Sequence, residues 1–158
     1  KLAAAKARAR LGAQPEPGFE SVGWAEDDFV TIARTQRLRE EAAARRSGPV
    51  LVCDTDALAT GVWHERYLGK RSSRVELEAR QLQRRALYLL TDHVGVPFEQ
   101  DGLRDGEKVR AWMTEQFAAR LEEAGAETLR LVGSREDRLK LALQAVDRAL
   151  ARRAEFVE

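Results

Sequence analysis

Apolar and polar residues follow two different patterns along this chain. Apolar positions at helical spacing predict helices over residues 24–46, 55–68, 75–85, 107–124 and 135–151. Short continuous apolar runs predict strands buried on both faces at 50–54, 86–92 and 128–132. Because strands that alternate with helices are typical of parallel sheets, the pattern predicts an α/β fold in which helices cover both faces of a three-layer parallel sheet.

Particular residues predict the helix ends and the buried faces. Gly125 is expected to end the helix over 107–124, and Ser134 with Asp137 three residues later resembles a capping box for the last helix. The expected core positions of these two helices are Val109, Trp112, Met113, Phe117, Leu121, Leu139, Leu143, Val146 and Leu150.

Length and composition narrow the class of protein. The chain has 158 residues, which suits one domain, and its 27 basic and 26 acidic side chains give a net charge of +1. So balanced a charge argues against a general nucleic-acid-binding protein. A single cysteine excludes an internal disulfide framework, and two histidines exclude a histidine-rich zinc site. Since no long apolar segment or signal peptide is present, we expect no membrane association and a cytoplasmic location.

Residues 1–23 are expected to differ from the rest of the chain. Their first ten positions are rich in Ala, Lys and Arg, which indicates a helical remnant, and Pro15, Pro17 and Gly18 then predict a mobile loop. Residues 24–158 hold all the predicted strands and form the predicted main domain.

Ligands of open parallel sheets bind beyond the carboxyl ends of the strands. Asp54 and Asp56 flank Thr55 directly after the first predicted strand. A carboxylate there can hold Mg²⁺ beside a nucleotide phosphate, and a second one can orient or deprotonate an attacking hydroxyl. An aspartate at such a turn is equally expected to cap the following helix, so both interpretations stay open.

Two further candidate groups follow the other predicted strands. Arg104, in a glycine-flanked loop, and Arg110 can clamp phosphate oxygens through their planar guanidinium groups, or can be solvated surface arginines. Gly133 and Ser134 can present backbone groups to a base, although their spacing favours helix capping.

The helix that follows Asp56 carries two rings at a spacing of four. Trp63 and Tyr67 can stack on a ligand ring, but packing in the core is favoured. The lone His64 is expected at the surface, and Cys53 is expected to be an inert thiol within a buried strand.

A phosphate-binding loop requires the pattern Gly-x-x-x-x-Gly-Lys-Ser/Thr after a strand. The only Gly-Lys pair is Gly69-Lys70, which is followed by Arg71 and has His64 at the first glycine position. This sequence therefore contains no residue that supplies the usual cradle for nucleotide phosphates.

Four segments, taken in order, resemble the NadR-type ribosylnicotinamide kinase domain, a P-loop NTPase and kinase fold. They are 50–60 with its Asp-Thr-Asp, Tyr67-Leu68-Gly69, 87–90, and Asp101-Gly102-Leu103-Arg104. The resemblance covers residues 24–150, and the last segment is its most specific part. It implies transfer of the γ-phosphoryl group of ATP to the 5′-hydroxyl of nicotinamide riboside, a step of NAD salvage.

The resemblance also implies roles for individual residues. Asp54 matches the acid that helps to hold Mg²⁺, Asp56 lies near the riboside hydroxyl, and Arg104 neutralises charge on the transferred phosphoryl group. Members of the family are often fused to a nicotinamide-nucleotide adenylyltransferase domain. The residues implied on the riboside side are Asp56, Thr60, Trp63 and Tyr67, and those on the ATP side are Arg104, Arg110, Gly133, Ser134 and Asp137.

One departure from the family pattern changes the expected activity. The family opens with a strand and a phosphate loop, whereas this sequence has neither, so we expect an N-terminally truncated domain that is inactive or nearly so alone. The alternative is a non-catalytic module that keeps the nucleotide-binding fold for interaction or regulation. That alternative predicts an exposed apolar edge covered by a partner.

Overall fold

The computed structural model describes residues 23–81, 85–99 and 107–154. The predicted helical remnant and loop over residues 1–23, apart from Gly23, and the candidate Arg104 lie outside these residues. The chain divides into two compact units, which we call the helical unit (Lys1–Leu82 with Glu99–Asp105) and the sheet unit (Gln83–Phe98 with Gly106–Glu158).

Three helices build the described part of the helical unit. They are α1 (Glu26–Ala44), α2 (Ala57–Leu68) and α3 (Ser73–Arg80), and each packs against the other two. Their shared core consists of Phe29, Val30, Ala33, Ala57 and Val75, all buried. The helical spacing in the sequence therefore predicts these three helices to within a few residues of their ends, except that α3 ends at Arg80 instead of 85.

The ends of α2 and α3 follow from short polar residues and one glycine. The Asp56 side chain accepts a hydrogen bond from the Ala59 amide at 2.9 Å, and the Ser72 hydroxyl accepts one from the Val75 amide at 3.2 Å. Gly69, with φ of +70°, ends α2 in the left-handed conformation that glycine adopts without steric cost.

A buried carboxylate joins α3 to α1. The Glu78 carboxylate forms salt bridges with Arg34 Nη2 at 2.8 Å and with Arg37 Nη2 at 3.2 Å. Burial acts to raise the pKa of Glu78, but hydrogen bonds from the two arginines outweigh it and hold that pKa below its usual value. The pair of arginines thus keeps this carboxylate charged at the helix interface.

The sheet unit holds two parallel strands. Its elements are β1 (Tyr88–Thr91), a 3₁₀ turn (Glu107–Val109), α4 (Arg110–Glu123), β2 (Thr128–Leu131) and α5 (Arg135–Ala154). Tyr88 pairs with Thr128 and Thr91 with Leu131. An α/β fold with parallel pairing is therefore confirmed. Within the described residues the sheet has these two strands, and the predicted three-layer arrangement is not confirmed.

The predicted strand over 50–54 is wrong. Residues 50–53 have no regular structure, and Val52 is 83% exposed. A strand exists only where a neighbour satisfies its backbone groups, and both strands of the described residues lie in the other unit. Cys53 is accordingly a half-buried thiol in irregular chain, not a residue of a core strand.

The predicted core stripes are partly correct. On α4, Met113 and Leu121 are buried, whereas Trp112 is 38% exposed. On α5, Leu139 is 60% and Leu143 56% exposed, so their predicted burial is wrong. The strands have four residues and α5 has 20; they are therefore about 13 Å and about 30 Å long, and β2 cannot cover the whole helix.

None of the helices within the described stretches combines the length and the apolar character that crossing a membrane requires.

Candidate functional site

The turn before α2 holds two aspartates in different environments. Asp54 is exposed, whereas Asp56 is buried and caps α2. Thr55, between them, has φ of +62°, a left-handed conformation that costs energy for a β-branched side chain. The helix-capping role is therefore observed for Asp56, and the strained residue lies beside a solvent-accessible carboxylate. Backbone strain of this kind is concentrated at functional sites.

The riboside-side candidates of the sequence lie on one face of α2. Asp56, Thr60, Trp63 and Tyr67 follow each other at spacings of four, three and four. The Thr60 hydroxyl donates to the Asp56 carbonyl at 3.1 Å, which ties the first turn of the helix to the capping residue. The structure therefore brings these four residues into one row.

The two rings of that row stack on each other. The centroids of Trp63 and Tyr67 are 6.1 Å apart with an interplanar angle of 18°, and both rings are half-buried against the core of the helical unit. The Arg66 guanidinium lies over both rings, 5.4 Å and 4.9 Å from their centroids. Core packing, the favoured interpretation, is thus observed, and the rings keep partly exposed surfaces.

His64 directly follows Trp63 on this helix and is fully buried, so its expected surface position is wrong. Its Nδ1 lies 2.8 Å from the Lys70 carbonyl oxygen, and its ring meets Phe29 edge-on with centroids 5.2 Å apart. Since a carbonyl only accepts, Nδ1 carries the proton of that bond. The Nε2 atom has no partner within the described residues.

The turn between β2 and α5 is held by the predicted cap. The Asp137 amide donates to Ser134 Oγ at 3.1 Å, and Asp137 Oδ2 accepts from the Ser134 amide at 3.1 Å and hydroxyl at 2.8 Å. These hydrogen bonds from Ser134 hold the pKa of Asp137 below its usual value. The predicted capping box is therefore confirmed, with aspartate in place of the usual glutamate.

Gly133 fits this turn because it has no side chain. Its φ is +92°, and a Cβ at this position would lie 3.0 Å from Asp137 Oδ2. Both the backbone conformation and the neighbouring carboxylate therefore require glycine here.

Arg138, which the sequence did not single out, joins the turns that follow β1 and β2. Its Nε donates to the Gly133 carbonyl at 2.8 Å, its Nη1 to the Asp92 carbonyl at 2.7 Å and its Nη2 to the Val94 carbonyl at 2.6 Å. The two partners that follow β1 lie more than 40 positions before Arg138 in the sequence, so no local spacing signals them.

Asp92 forms a second link at the same strand ends. Its buried carboxylate accepts from the Val94 amide at 2.8 Å and from Arg130 Nε at 2.6 Å. These two bonds, the one from Val94 foremost, lower the pKa of Asp92. Its position after an apolar run marked it as the end of a strand, but the arginine that neutralises it was not predicted.

Arg110 opens α4 beside the loop that follows β1. Its Nη2 donates to the His93 carbonyl at 3.1 Å, and its guanidinium lies 5.9 Å from the centre of the Phe98 ring. It is half-buried and bound to this loop, so it is not the fully solvated arginine of the alternative interpretation.

A magnesium ion belongs to the implied chemistry, and the available carboxylates allow it. Within the stretches that the structure describes, no three histidine, cysteine, aspartate or glutamate side chains converge on a metal position. Mg²⁺ in phosphoryl-transfer sites needs only one or two carboxylates, because water and substrate phosphates complete its coordination. The exposed carboxylate of Asp54 suits that role.

Comparison with known proteins identifies a family for this chain. The sequence model of the AAA domain family matches residues 7–138, which is most of the chain. No curated protein and no solved structure gives a significant match. A match of this extent establishes the family: the chain belongs to the AAA domain family of P-loop NTPase-like, nucleotide-binding proteins.

Proposed function

We propose that this domain binds Mg-ATP and nicotinamide riboside and serves the transfer of the γ-phosphoryl group to the riboside 5′-hydroxyl. The observation that carries the proposal is the strained Thr55 between exposed Asp54 and buried Asp56, at the start of a helix in an AAA domain. The order of the segments around 50–60, 67–69, 87–90 and 101–104 supports the choice of substrate.

The two aspartates have separate roles in this proposal. Asp54 holds Mg²⁺, which neutralises charge on the transferring phosphate when it is bound. Asp56 has one carboxylate oxygen fixed by the Ala59 amide, and this bond orients the group toward one side of the helix start. From there Asp56 orients or deprotonates the attacking hydroxyl.

The face of α2 supplies the acceptor side. Thr60 lies one turn beyond Asp56, and the partly exposed Trp63 and Tyr67 rings follow it along the same face. We assign these rings to contact with the riboside and its planar base. Partly exposed aromatic rings bind planar ligands by stacking.

The sheet unit supplies the nucleotide side. The turn at Gly133, Ser134 and Asp137 lies beyond the carboxyl end of β2, where ligands of parallel sheets bind. Arg110 of this unit interacts with the phosphates. The same role for Arg104, which lies outside the described residues, is implied by the family resemblance alone. The sequence contains no phosphate loop, so we expect these 158 residues to bind substrates with little turnover, and fusion to an adenylyltransferase domain stays a prediction.

Titration calorimetry of the chain with nicotinamide riboside, with and without Mg²⁺ and a non-hydrolysable ATP analogue, tests the proposal. We expect riboside binding by the wild type, and loss of the Mg²⁺ dependence of nucleotide binding in Asp54→Asn, with affinity about tenfold lower. Asp147→Asn, an exposed aspartate on α5, is the matched control and should bind like the wild type.

Two results would contradict the proposal. Absence of riboside binding by the wild type would exclude this substrate, and equal nucleotide affinities of Asp54→Asn and Asp147→Asn would exclude the metal-holding role of Asp54. Fast formation of nicotinamide mononucleotide by these 158 residues would instead show that a phosphate loop is not needed.

A non-catalytic interaction module is the second candidate, because α5 exposes Leu139 and Leu143 on one face. A helix face with such exposed side chains fits a contact with another protein. The discriminating measurement is sedimentation of the wild type and Leu139→Ser/Leu143→Ser. Self-association that the double variant abolishes would favour this candidate, and a monomer in both would exclude self-association as its basis.

A further inference from the structure

Arg138 makes an unusual set of bonds for a residue in the second turn of a helix. Each of its three bonded nitrogens donates to a backbone carbonyl, at 2.6 to 2.8 Å. One carbonyl belongs to Gly133, before α5, and the other two belong to Asp92 and Val94, after β1. A planar guanidinium presents its donors in fixed directions, so this arrangement fixes the relative position of the two turns.

Two further hydrogen bonds, both accepted by the Asp92 carboxylate, hold the turn after β1. The Asp92 carboxylate accepts from the Val94 amide at 2.8 Å and from Arg130 at 2.6 Å. The turn after β2 is likewise closed by Ser134 and Asp137. In the described part of the chain, the Arg138 side chain donates hydrogen bonds to both of these locally closed turns.

Carbonyl groups bound to a guanidinium have fixed orientations, and so do the amide groups next to them. Arginine meets this requirement and lysine does not, because an ammonium group on a flexible stem cannot hold three carbonyls in one plane. The bonds of Arg138 go to its own chain, which distinguishes it from a residue that contacts a ligand directly.

We propose that Arg138 is a positioning residue of the nucleotide side: it holds the turns at 92–96 and 132–135 in the conformation that receives the nucleotide. This inference rests on the proposed function for its ligand, whereas the joining of the two turns stands on the hydrogen bonds alone. The residues proposed for the riboside, Asp56, Thr60, Trp63 and Tyr67, belong to the helical unit and not to the unit of Arg138, so we expect Arg138→Lys to leave riboside affinity unchanged.

The test compares Arg138→Lys with Arg148→Lys, an exposed arginine on the same helix. Amide hydrogen exchange reports on the turns, a fluorescent ATP analogue on nucleotide affinity, and calorimetry on riboside affinity. In Arg138→Lys we expect about tenfold faster exchange at Val94 and Ser134 and about tenfold weaker nucleotide binding, because charge-assisted hydrogen bonds are lost. Riboside affinity should stay unchanged, as should every reading in Arg148→Lys.

The outcomes separate the inference from the proposed function. Unchanged exchange in Arg138→Lys would overturn the joining of the turns, and faster exchange with unchanged nucleotide affinity would overturn the positioning role. A wild type that binds no nucleotide would overturn the proposed function and that role together, while the exchange data would still show whether Arg138 joins the turns. A parallel loss of riboside affinity would indicate general unfolding and would also count against it.

A measurement on the wild type alone covers the case in which Arg138→Lys does not fold. If the turns are held in advance, the Val94 and Ser134 amides should be protected without nucleotide and change by less than about twofold when it binds. Rapid exchange at both amides in the free protein would overturn the proposal.

Discussion

The turn before α2 and the turn before α5 use the same uncommon backbone conformation but place different residue types in it. Each places one residue at positive φ shortly before a capped helix: Thr55 at +62° and Gly133 at +92°. At Gly133 the conformation and the nearby Asp137 carboxylate require glycine, so the residue matches its place. At Thr55 a β-branched residue occupies the same unfavourable region.

Backbone strain is therefore avoided at the turn before α5 and kept at the turn before α2. The turn before α5 uses glycine, so its positive φ carries no steric cost. Threonine at this position, next to the exposed Asp54, costs stability because of its positive φ. It also places a β-branched side chain with a restricted χ1 angle beside that carboxylate. We therefore place the reacting groups at the first turn and the positioning contacts at the second.

The largest effect that would test this comparison is expected for Gly133→Ala. The new Cβ would meet Asp137 Oδ2 at 3.0 Å in a left-handed conformation, and we expect the free energy of unfolding to fall by about 2 kcal/mol or more. Urea denaturation measures it. Gly48→Ala is the control, since a Cβ there has open space and no positive φ. Equal losses of stability in both variants would show that position 133 does not require glycine.

Thr55→Gly should have a smaller effect of opposite sign. Glycine removes the left-handed strain but adds freedom to the unfolded chain, so we expect a gain of up to about 1 kcal/mol in the free energy of unfolding. Riboside binding should weaken at the same time. A destabilised Thr55→Gly variant with unchanged binding would show that Thr55 is kept for the fold and not for a ligand.

The smallest effect concerns acid and the cap before α5. The pKa of Asp137 is lowered from 3.8 in the folded state by Ser134, so the ionised carboxylate contributes stability above pH 3.8 and this contribution is lost as pH falls through the lower folded-state value. The stability advantage of the wild type over Asp137→Asn should therefore shrink below that pH. If the stability advantage of the wild type over Asp137→Asn stays constant between about pH 5 and about pH 2, the cap geometry is contradicted.

How far the sequence predicts this molecule depends on the range of the interactions. The helices and the cap of Ser134 and Asp137 follow from residues three or four positions apart, and both were predicted correctly. Two of the three predicted strands are present, because the apolar runs at 86–92 and 128–132 pair with each other. The run at 50–54 has the same composition without a partner in the described residues, and composition alone cannot tell the two cases apart.

Long-range contacts explain what the sequence missed at the candidate site. Burial of His64 depends on Phe29 of another helix, and the function of Arg138 depends on carbonyls after β1. Neither leaves a periodic signal. The row from Asp56 to Tyr67 could be predicted because helix geometry alone fixes it, whereas the exposure of Leu139 and Leu143 depends on how much sheet covers α5.

The parallel pairing of β1 with β2 also has a consequence for the order of folding. Tyr88 meets Thr128 only after the chain between them, including α4, has been made and turned back. Closing such a long loop costs entropy before any hydrogen bond repays it, so non-local strand pairs form slowly. During synthesis, β2 up to Leu131 must emerge from the ribosome before the two strands can pair. Until then β1 is outside the ribosome without its partner strand.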